Sequence, residues 1–444
     1  MTKIEKISFE IETVTPMFLA GADGKTAELR PASLKGLLRY WWRALQSEPN
    51  LDKLREKEAK IFGSSDEGIG GSKFAIRVTQ PDKSPLLNFK DEIKDSRQQN
   101  RIDANLSGIG YLFYSTYMQR GKERPYFPVK SKFTVTISSQ DEKSLKAAIV
   151  SLWVLAHLGG LGTRARRGAG NIAINSIEGA QKILNDMKLD FVSKGTTSEE
   201  VARWLINNFE SAKRVINESR TAFVSEYTNL SFSRFVIGGD NKTWKEALNH
   251  AGDIFKKFRD NNKSRIFETA VFGFPIVHRS SRTTVTGKES EVFVRRSSPI
   301  IFKIIKVDDR YYWMVIRLSG ELLPQGGVIS ADKKTQKPDY GIIDEFWAEL
   351  KKTGEHILSM PDTLLHVVEE IKKSSNPRKI IIFGSKARGD FHNRSDTDIA
   401  VDAEKPLGHS TLNGVVDMIN LKTADDSLKK KIEKEGVVIY ERKG

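Results

Sequence analysis

Phe383-Gly384-Ser385-Lys386-Ala387-Arg388-Gly389, followed by Ser395-Asp396-Thr397-Asp398-Ile399, sets the parts of a phosphate cradle beside a pair of carboxylates. Glycine lets a phosphate approach the backbone, free N–H groups at a helix start donate to it, and the helix dipole favours its charge. Asp396 and Asp398 are two apart, so on an extended segment both side chains leave the same face. Asp417 stands alone among apolar neighbours in Val415-Val416-Asp417-Met418-Ile419, where an aspartate without a cation is costly. Three such carboxylates suit Mg²⁺ beside a nucleoside triphosphate such as ATP. Singly, Gly-Ser turns and Asp-x-Asp pairs are commonplace loop features; their order along one short stretch is what singles them out.

A second chemistry lies upstream and is cationic. Lys35, Arg39 and Arg43 recur at i, i+4 and i+8, a basic stripe beside the apolar stripe Leu34, Leu37, Leu38, Trp41, Trp42 and Leu45. Such a stripe can follow a phosphate backbone, although a helix face of this kind is more often merely solvated. Between Gly159 and Gly170, five glycines besides Ala165 and Ala169 surround Arg164, Arg166 and Arg167. Flexible backbone with three arginines in four residues fits close approach to a sugar-phosphate chain better than it fits a plain structural loop.

The elements that must carry these groups follow from periodicity. Ile7, Phe9 and Ile11 alternate as a strand; Phe74-Ile76-Val78 and Phe133-Val135-Ile137 do the same. The Leu/Trp stripe predicts a helix capped by Ser33, and Leu145 to Ala156 predicts a second, ended by Gly159-Gly160. With a strand from Ile172, the order is β-α-β-β-α-β, the ferredoxin-like arrangement. A first domain over 1–180 results. Amphipathic helices at Glu199 to Ser219 and Lys242 to Phe258, strands at Glu291 to Lys306 and Tyr311 to Leu318 turning at Asp308-Asp309, a loop from Gln325 to Gly341 and a helix from Ile342 to Lys352 predict a second domain over 181–353. Gly354 to Met360 carries no pattern and reads as a linker. Residues 361–444 form a small α/β module, giving an α+β chain of three parts.

The 444 residues exceed one ordinary core, and 39% hydrophobic residues suffice to bury several. The absence of cysteine excludes disulfides, Cys-zinc sites and thiol nucleophiles. No apolar run approaches a membrane span and the N-terminus lacks a signal-peptide pattern, so a cytoplasmic protein without a membrane partner is expected. The net charge is +15. From Pro361 onward 15 Lys/Arg face 14 Asp/Glu, which leaves +14 on residues 1–360. A basic body beside a balanced tail suggests a polyanionic partner such as nucleic acid. None of the seven histidines falls in the basic helix or the glycine-rich loop; His157, in an apolar helix, reads as core, and nothing in the body marks a nuclease.

The tail resembles the minimal nucleotidyltransferase family in its Gly-Ser-x-Ala-Arg-Gly and Ser-Asp-x-Asp patterns and in its ending, Glu435 to Glu441. That resemblance implies Gly384, Ser385 and Arg388 on the nucleotide, and Asp396, Asp398 and Asp417 as metal ligands and catalytic carboxylates. Only 18 residues separate Asp398 from Asp417, with Lys405 to Gly414 a short polar loop where the family places a helix, so a less enclosed cleft is expected. The body resembles the RAMP superfamily of CRISPR proteins, through the glycine-rich loop. It is similar to RAMP subunits of the Cmr (type III-B) effector through Thr15-Pro16-Met17-Phe18-Leu19-Ala20-Gly21, the stretch Glu28 to Arg43, Ile61-Phe62-Gly63-Ser64 and Arg295-Arg296-Ser297-Ser298-Pro299. This implies two tandem ferredoxin-like (RAMP) domains and an antiviral complex containing other Cmr RAMP subunits, guide RNA and target RNA, with the subunit near the 3′ portion of the guide. Lys35, Arg39, Arg43, Arg164, Arg166, Arg167, Arg295 and Arg296 would contact RNA. A free-standing transferase that moves AMP to an RNA or protein recruited by the basic body is the alternative.

Overall fold

The computed structural model describes residues 3–442 except 47, 49, 66–67, 82, 97–100, 118–123, 217–226, 279–282, 290–291, 321, 324–325, 360–361, 389–390, 392–394 and 404–415. The expected polar loop Lys405 to Gly414 lies outside the described residues, as do Gly389 and Met360.

In the first unit, strand β1 (Glu5–Thr13) leads to helices α1 (Pro31–Leu45) and α2 (Leu51–Phe62), strand β2 (Phe74–Thr79) and the short helix α3 (Ser107–Phe113). Strand β3 (Lys132–Ser139), helix α4 (Glu142–Leu158) and strand β4 (Ile172–Glu178) complete it. The sheet order is β2-β3-β1-β4, antiparallel throughout. Alternation sets the register: Ile7, Phe9 and Ile11 lie opposite Ile137, Val135 and Phe133 and all are buried. Helix α1 begins at Pro31, with Arg30 at the cap and no side-chain cap bond, and not at Ser33. Proline at the first position lacks only an N–H that would be unpaired anyway.

The second unit adds helix α5 (Ser198–Ile216), strand β5 (Asn229–Asn241), helix α6 (Trp244–Asn261), strands β6 (Ile300–Val307) and β7 (Arg310–Ser319), helix α7 (Gly341–Lys351) and strand β8 (Gly354–Leu358). Its sheet runs β6-β7-β5-β8, again antiparallel. Three expectations change here. Glu291 to Lys306 is not one strand: Val292–Val294 and β6 are separated by the Arg295–Pro299 segment, because proline cannot donate to a ladder. The Gln325 to Gly341 loop holds two short strands, Val328–Ala331 and Lys334–Gln336, which join Ile276–His278, Thr283–Glu289 and Val292–Val294 in a separate sheet. The expected linker is strand β8, paired with β5 from Gly354↔Gly238 to Leu358↔Arg234, so the second unit's sheet extends past residue 353.

The tail comprises helix α8 (Asp362–Ser375), strand β9 (Lys379–Phe383), the one-turn helix α9 (Gly384–Arg388), strands β10 (Thr397–Asp402) and β11 (Val416–Asn420), helix α10 (Asp426–Glu435) and strand β12 (Val437–Glu441). Its sheet order is β11-β10-β9-β12, with β10 and β11 parallel. The chain as a whole is mixed α+β.

Candidate functional site

Strand β9 delivers Gly384 at φ +72°, a left-handed conformation that glycine adopts without penalty. A Cβ there would overlap Oδ2 of Asp398, so the absence of a side chain is what lets this carboxylate reach the turn. Asp398 faces Phe383 across one ladder and Asp417 across the parallel one, and Asp396 precedes it by two residues. The sequence-predicted aspartates are thereby brought to one end of one sheet. Burial pushes the Asp398 carboxyl up; Lys431 opposes this, while Asp417, Asp396 and Glu435 add to it. Asp396 and Asp417 are exposed; Asp417 sits on the edge strand β11, so the burial cost argued from its apolar neighbours does not arise. Among the described residues no three His, Asp or Glu side chains are gathered tightly enough to hold an ion. The three carboxylates are hard oxygen donors of the kind Mg²⁺ takes, and register sets Asp398 beside Asp417, but they are not gathered into a closed set of ligands.

Two basic groups complete this corner. Lys386, unnoticed in the sequence, is buried and donates from Nζ to Oγ1 of Thr397 at 2.8 Å; burial lowers it to about 8, against the pull of Asp396 and Asp398. Its position directly after Gly-Ser was the available signal. Arg388, expected on the nucleotide, pairs with Glu435 at 2.5 Å and braces α9 against α10.

The basic stripe on α1 is largely engaged within the protein. Arg39 and Arg43 both pair with Glu58 of α2, at 3.3 and 3.0 Å, and Arg39 also donates to the carbonyls of Phe62 and Gly63. Burial pushes the Glu58 carboxyl up, and the two guanidinium groups pull it back. Lys35, one turn earlier, has no ion pair among the described residues and lines an open pocket with Gly63, Ser64 and Gly71.

The glycine-rich loop is a seam between the two units. The Arg166 carbonyl accepts from the Phe302 N–H at 3.1 Å, and Arg167 bridges to Phe302. Arg166 donates to the Ser298 carbonyl at 2.6 Å and the Tyr40 hydroxyl at 2.7 Å. Arg167 donates to the carbonyls of Ile300 (3.3 Å) and Phe272 (3.4 Å), with its guanidinium over the Phe255 ring. Arg164 donates to the Leu112 carbonyl at 2.8 Å and stacks on Tyr114. A structural loop does use three arginines in four residues: they donate to carbonyls that chain folding brings from more than 50 residues away. Arg296 pairs with Glu289 at 2.5 Å and donates to the Leu322 carbonyl; Arg295 is exposed. His157 is buried against Trp153 and Trp204, as expected of a core residue, and burial with nearby Lys303 lowers it to about 3.

Residues 10–173 match the family model of the RAMP superfamily, and residues 366–444 match that of polymerase beta-type nucleotidyltransferases. Fold and site thus define a RAMP protein with a nucleotidyltransferase domain at its C-terminus. Two curated relatives are from Pyrococcus furiosus. The Cmr subunit Cmr1-1 is 29% identical over 317 residues, covering 70% of this chain and 86% of that protein. Cmr1-2 is 34% identical over 182 residues, covering 38% of this chain and 95% of that protein. The chain belongs to the Cmr1 family of CRISPR Cmr subunits. The crystal structure of apo Cmr1 from Pyrococcus furiosus is similar in fold, with TM-score 0.56, 24% identity and coverage of 80% of this chain and 99% of that one. So is a chain of the type III-B Cmr-beta complex bound to cognate target RNA and AMPPnP, with TM-score 0.50, 14% identity and coverage of 79% and 99%.

Proposed function

We propose that the chain is an RNA-binding subunit of a type III-B Cmr effector, seated near the 3′ portion of the guide RNA beside other Cmr subunits and engaging target RNA. The observation that carries this is the placement of +14 of the +15 net charge on residues 1–360, the part that contains the RAMP match. The two antiparallel sheets of identical strand order, each backed by helices between first and second and between third and fourth strands, support tandem ferredoxin-like domains. Of the eight basic residues that the sequence singles out, Lys35 and the exposed Arg295 have neither an ion pair nor a side-chain hydrogen bond among the described residues, so they can reach phosphates without loss of internal bonds. Binding of single-stranded RNA should weaken steeply with salt, and Lys35→Ala with Arg295→Ala should lower the log–log salt slope by about one unit per real contact. An unchanged slope in the double variant removes these two residues from the interface. Purification from the source organism separates the leading reading from the free-standing transferase: the first requires guide RNA and other Cmr subunits to co-purify.

The tail, on the same reading, binds Mg²⁺-ATP. Gly384 and the N–H groups after it would hold the triphosphate; Asp396, Asp398 and Asp417 would hold the cation, which when bound polarises phosphoryl oxygens. Cation binding would relieve the carboxylate crowding at Asp398. In thermal melts of the intact chain, Mg²⁺-ATP at a hundredfold excess over Kd should add about 2.7 kcal/mol to the stability of the tail. Asp398→Asn should abolish that gain while leaving RNA binding unchanged. A gain that persists in Asp398→Asn would place the nucleotide elsewhere.

A further inference from the structure

Between the glycine-rich loop, α6 and the Phe272–Val277 segment lies a cleft of about 640 Å³, outside the tail and away from the α1 stripe. Its walls carry Arg164, Arg167 and Arg259, with Tyr111, Tyr114 and Phe272 between them. Among the described residues none of these three arginines forms an ion pair; each is held by neutral carbonyls, Arg259 by that of Thr269 at 2.7 Å. Carbonyls orient a guanidinium without neutralising it. Arg167 is pushed down to about 9, first by burial and then by the like charges of Arg164, Arg259 and Arg166, while Tyr111 opposes this. Among the described residues, Arg296 is the one lining arginine with a carboxylate partner, Glu289. Three half-buried guanidinium groups sharing one concavity, with no carboxylate among the residues that line it, repel one another. An anion supplied from outside resolves the imbalance.

The lining also indicates what kind of anion. Tyr114 is 46% exposed, and the Arg164 guanidinium lies 4.6 Å from its ring centroid. An aromatic–guanidinium pair at the mouth of a cationic pocket offers a flat platform to a base, and the volume lies in the range of small-ligand sites. A protein phosphate group would use the arginines but leave the platform idle. We infer that this cleft takes one nucleotide unit of single-stranded RNA, with its phosphate among Arg164, Arg167 and Arg259 and its base against Tyr114. The inference rests on the RNA-binding reading above and gives that reading a specific subsite.

The test uses the full-length chain and a labelled single-stranded oligoribonucleotide containing photoreactive 5-iodouridine. Cross-linking followed by mass spectrometry should place label on the peptide containing Tyr114. Tyr114→Ala, at an exposed position where folding should survive, should weaken RNA binding about tenfold with little change in salt slope. Arg259→Gln should weaken binding and lower the salt slope by about one unit. If Arg259→Gln fails to fold, the cross-link and Tyr114→Ala decide alone. RNA that binds the wild type, with unchanged affinity in Tyr114→Ala and no label near Tyr114, overturns the subsite and leaves the RNA-binding reading standing. No RNA binding by the wild type removes that reading itself. Adenosine monophosphate forms the control for a free nucleotide: if its binding depends on Tyr114 while RNA binding does not, the cleft serves a free nucleotide and the inference fails.

Discussion

Lys303 shows how a single side chain can join two units. It lies fully buried in β6 and donates from Nζ to the carbonyls of Ala156 (2.5 Å), in the last turn of α4, and of Gly159 (3.0 Å), the residue that caps it. Those carbonyls have no intrahelical donor, and a cation suits the negative end of the helix dipole. Burial lowers the amine from 10.5 to about 7, and His157 beside it from 6.5 to about 3. The sign follows from proton counting. Both groups bind fewer protons when folded than unfolded, His157 between about 3 and 6.5 and Lys303 between about 7 and 10.5, so stability rises with pH through both windows. Urea unfolding should therefore show a midpoint increasing from pH 7 to 9.5. Lys303→Met should make that rise shallower, leaving the share of Lys386, whose amine burial lowers to about 8, and should cost more at pH 9.5 than at pH 7, where the wild type still bears the ionisation cost; orphaned carbonyls set the scale at about 1–3 kcal/mol. A parallel rise in wild type and variant would show that Lys303 does not contribute to it.

At the scale of elements, legibility depended on whether partners lie close in sequence. The β9-turn-α9 unit was readable because its glycine, serine and paired aspartates occupy one short stretch, and register then set Asp398 beside Asp417. Strand β1 was readable because one face is buried and the other is not. Strand β5, the central partner of both β7 and β8, was missed because nearly every residue from Asn229 to Gly238 is buried, including Ser233 and Arg234, and period-two alternation vanishes. The arginine loop was legible as cationic but not as a seam, since its acceptors lie on Leu112, Ser298 and Ile300. Among these elements the Gly384 turn makes the sharpest demand. Gly384→Ala combines a left-handed φ, worth about 1–2 kcal/mol, with a Cβ that would overlap Asp398. The variant should melt earlier than wild type by that amount and lose Mg²⁺-ATP stabilisation together with it. Normal melting in Gly384→Ala would mean that Asp398 can turn away freely.

At the scale of the whole molecule, the tail is built onto the second unit and not hung from a linker. Phe232 of β5 and Leu358 of β8 share a buried cluster with Leu364, Val367, Ile380 and Val401 of the tail, and Phe232 meets Phe391 with ring centroids 5.1 Å apart. Arg234 donates to the Ala387 carbonyl of α9 at 3.2 Å and to Asp344 of α7 at 2.7 Å; Arg317 reaches the same carboxylate at 3.3 Å. Two guanidinium groups on one buried carboxylate make the Asp344 position sensitive, because losing it strands both charges. Where the chain is cut then matters by a few residues. A truncation after Thr353 removes β8, strips the edge from the second sheet and uncovers the β5 backbone as well as Phe232. A truncation after Ser359 keeps that ladder, including the Ser359 N–H bond to the Ser233 carbonyl at 2.9 Å, and forfeits mainly the apolar cover of Phe232 and Leu358, about 1.5–3 kcal/mol for each side chain. Residues 1–359 should therefore unfold cooperatively at a reduced temperature and retain RNA binding with an unaltered salt slope, since the cationic groups lie upstream. Residues 1–353 should melt lower still, with a broadened transition and aggregation through the exposed strand edge. Equal melting of the two fragments, followed by circular dichroism at matched concentration, would show that β8 is dispensable and that the tail alone accounts for the lost stability.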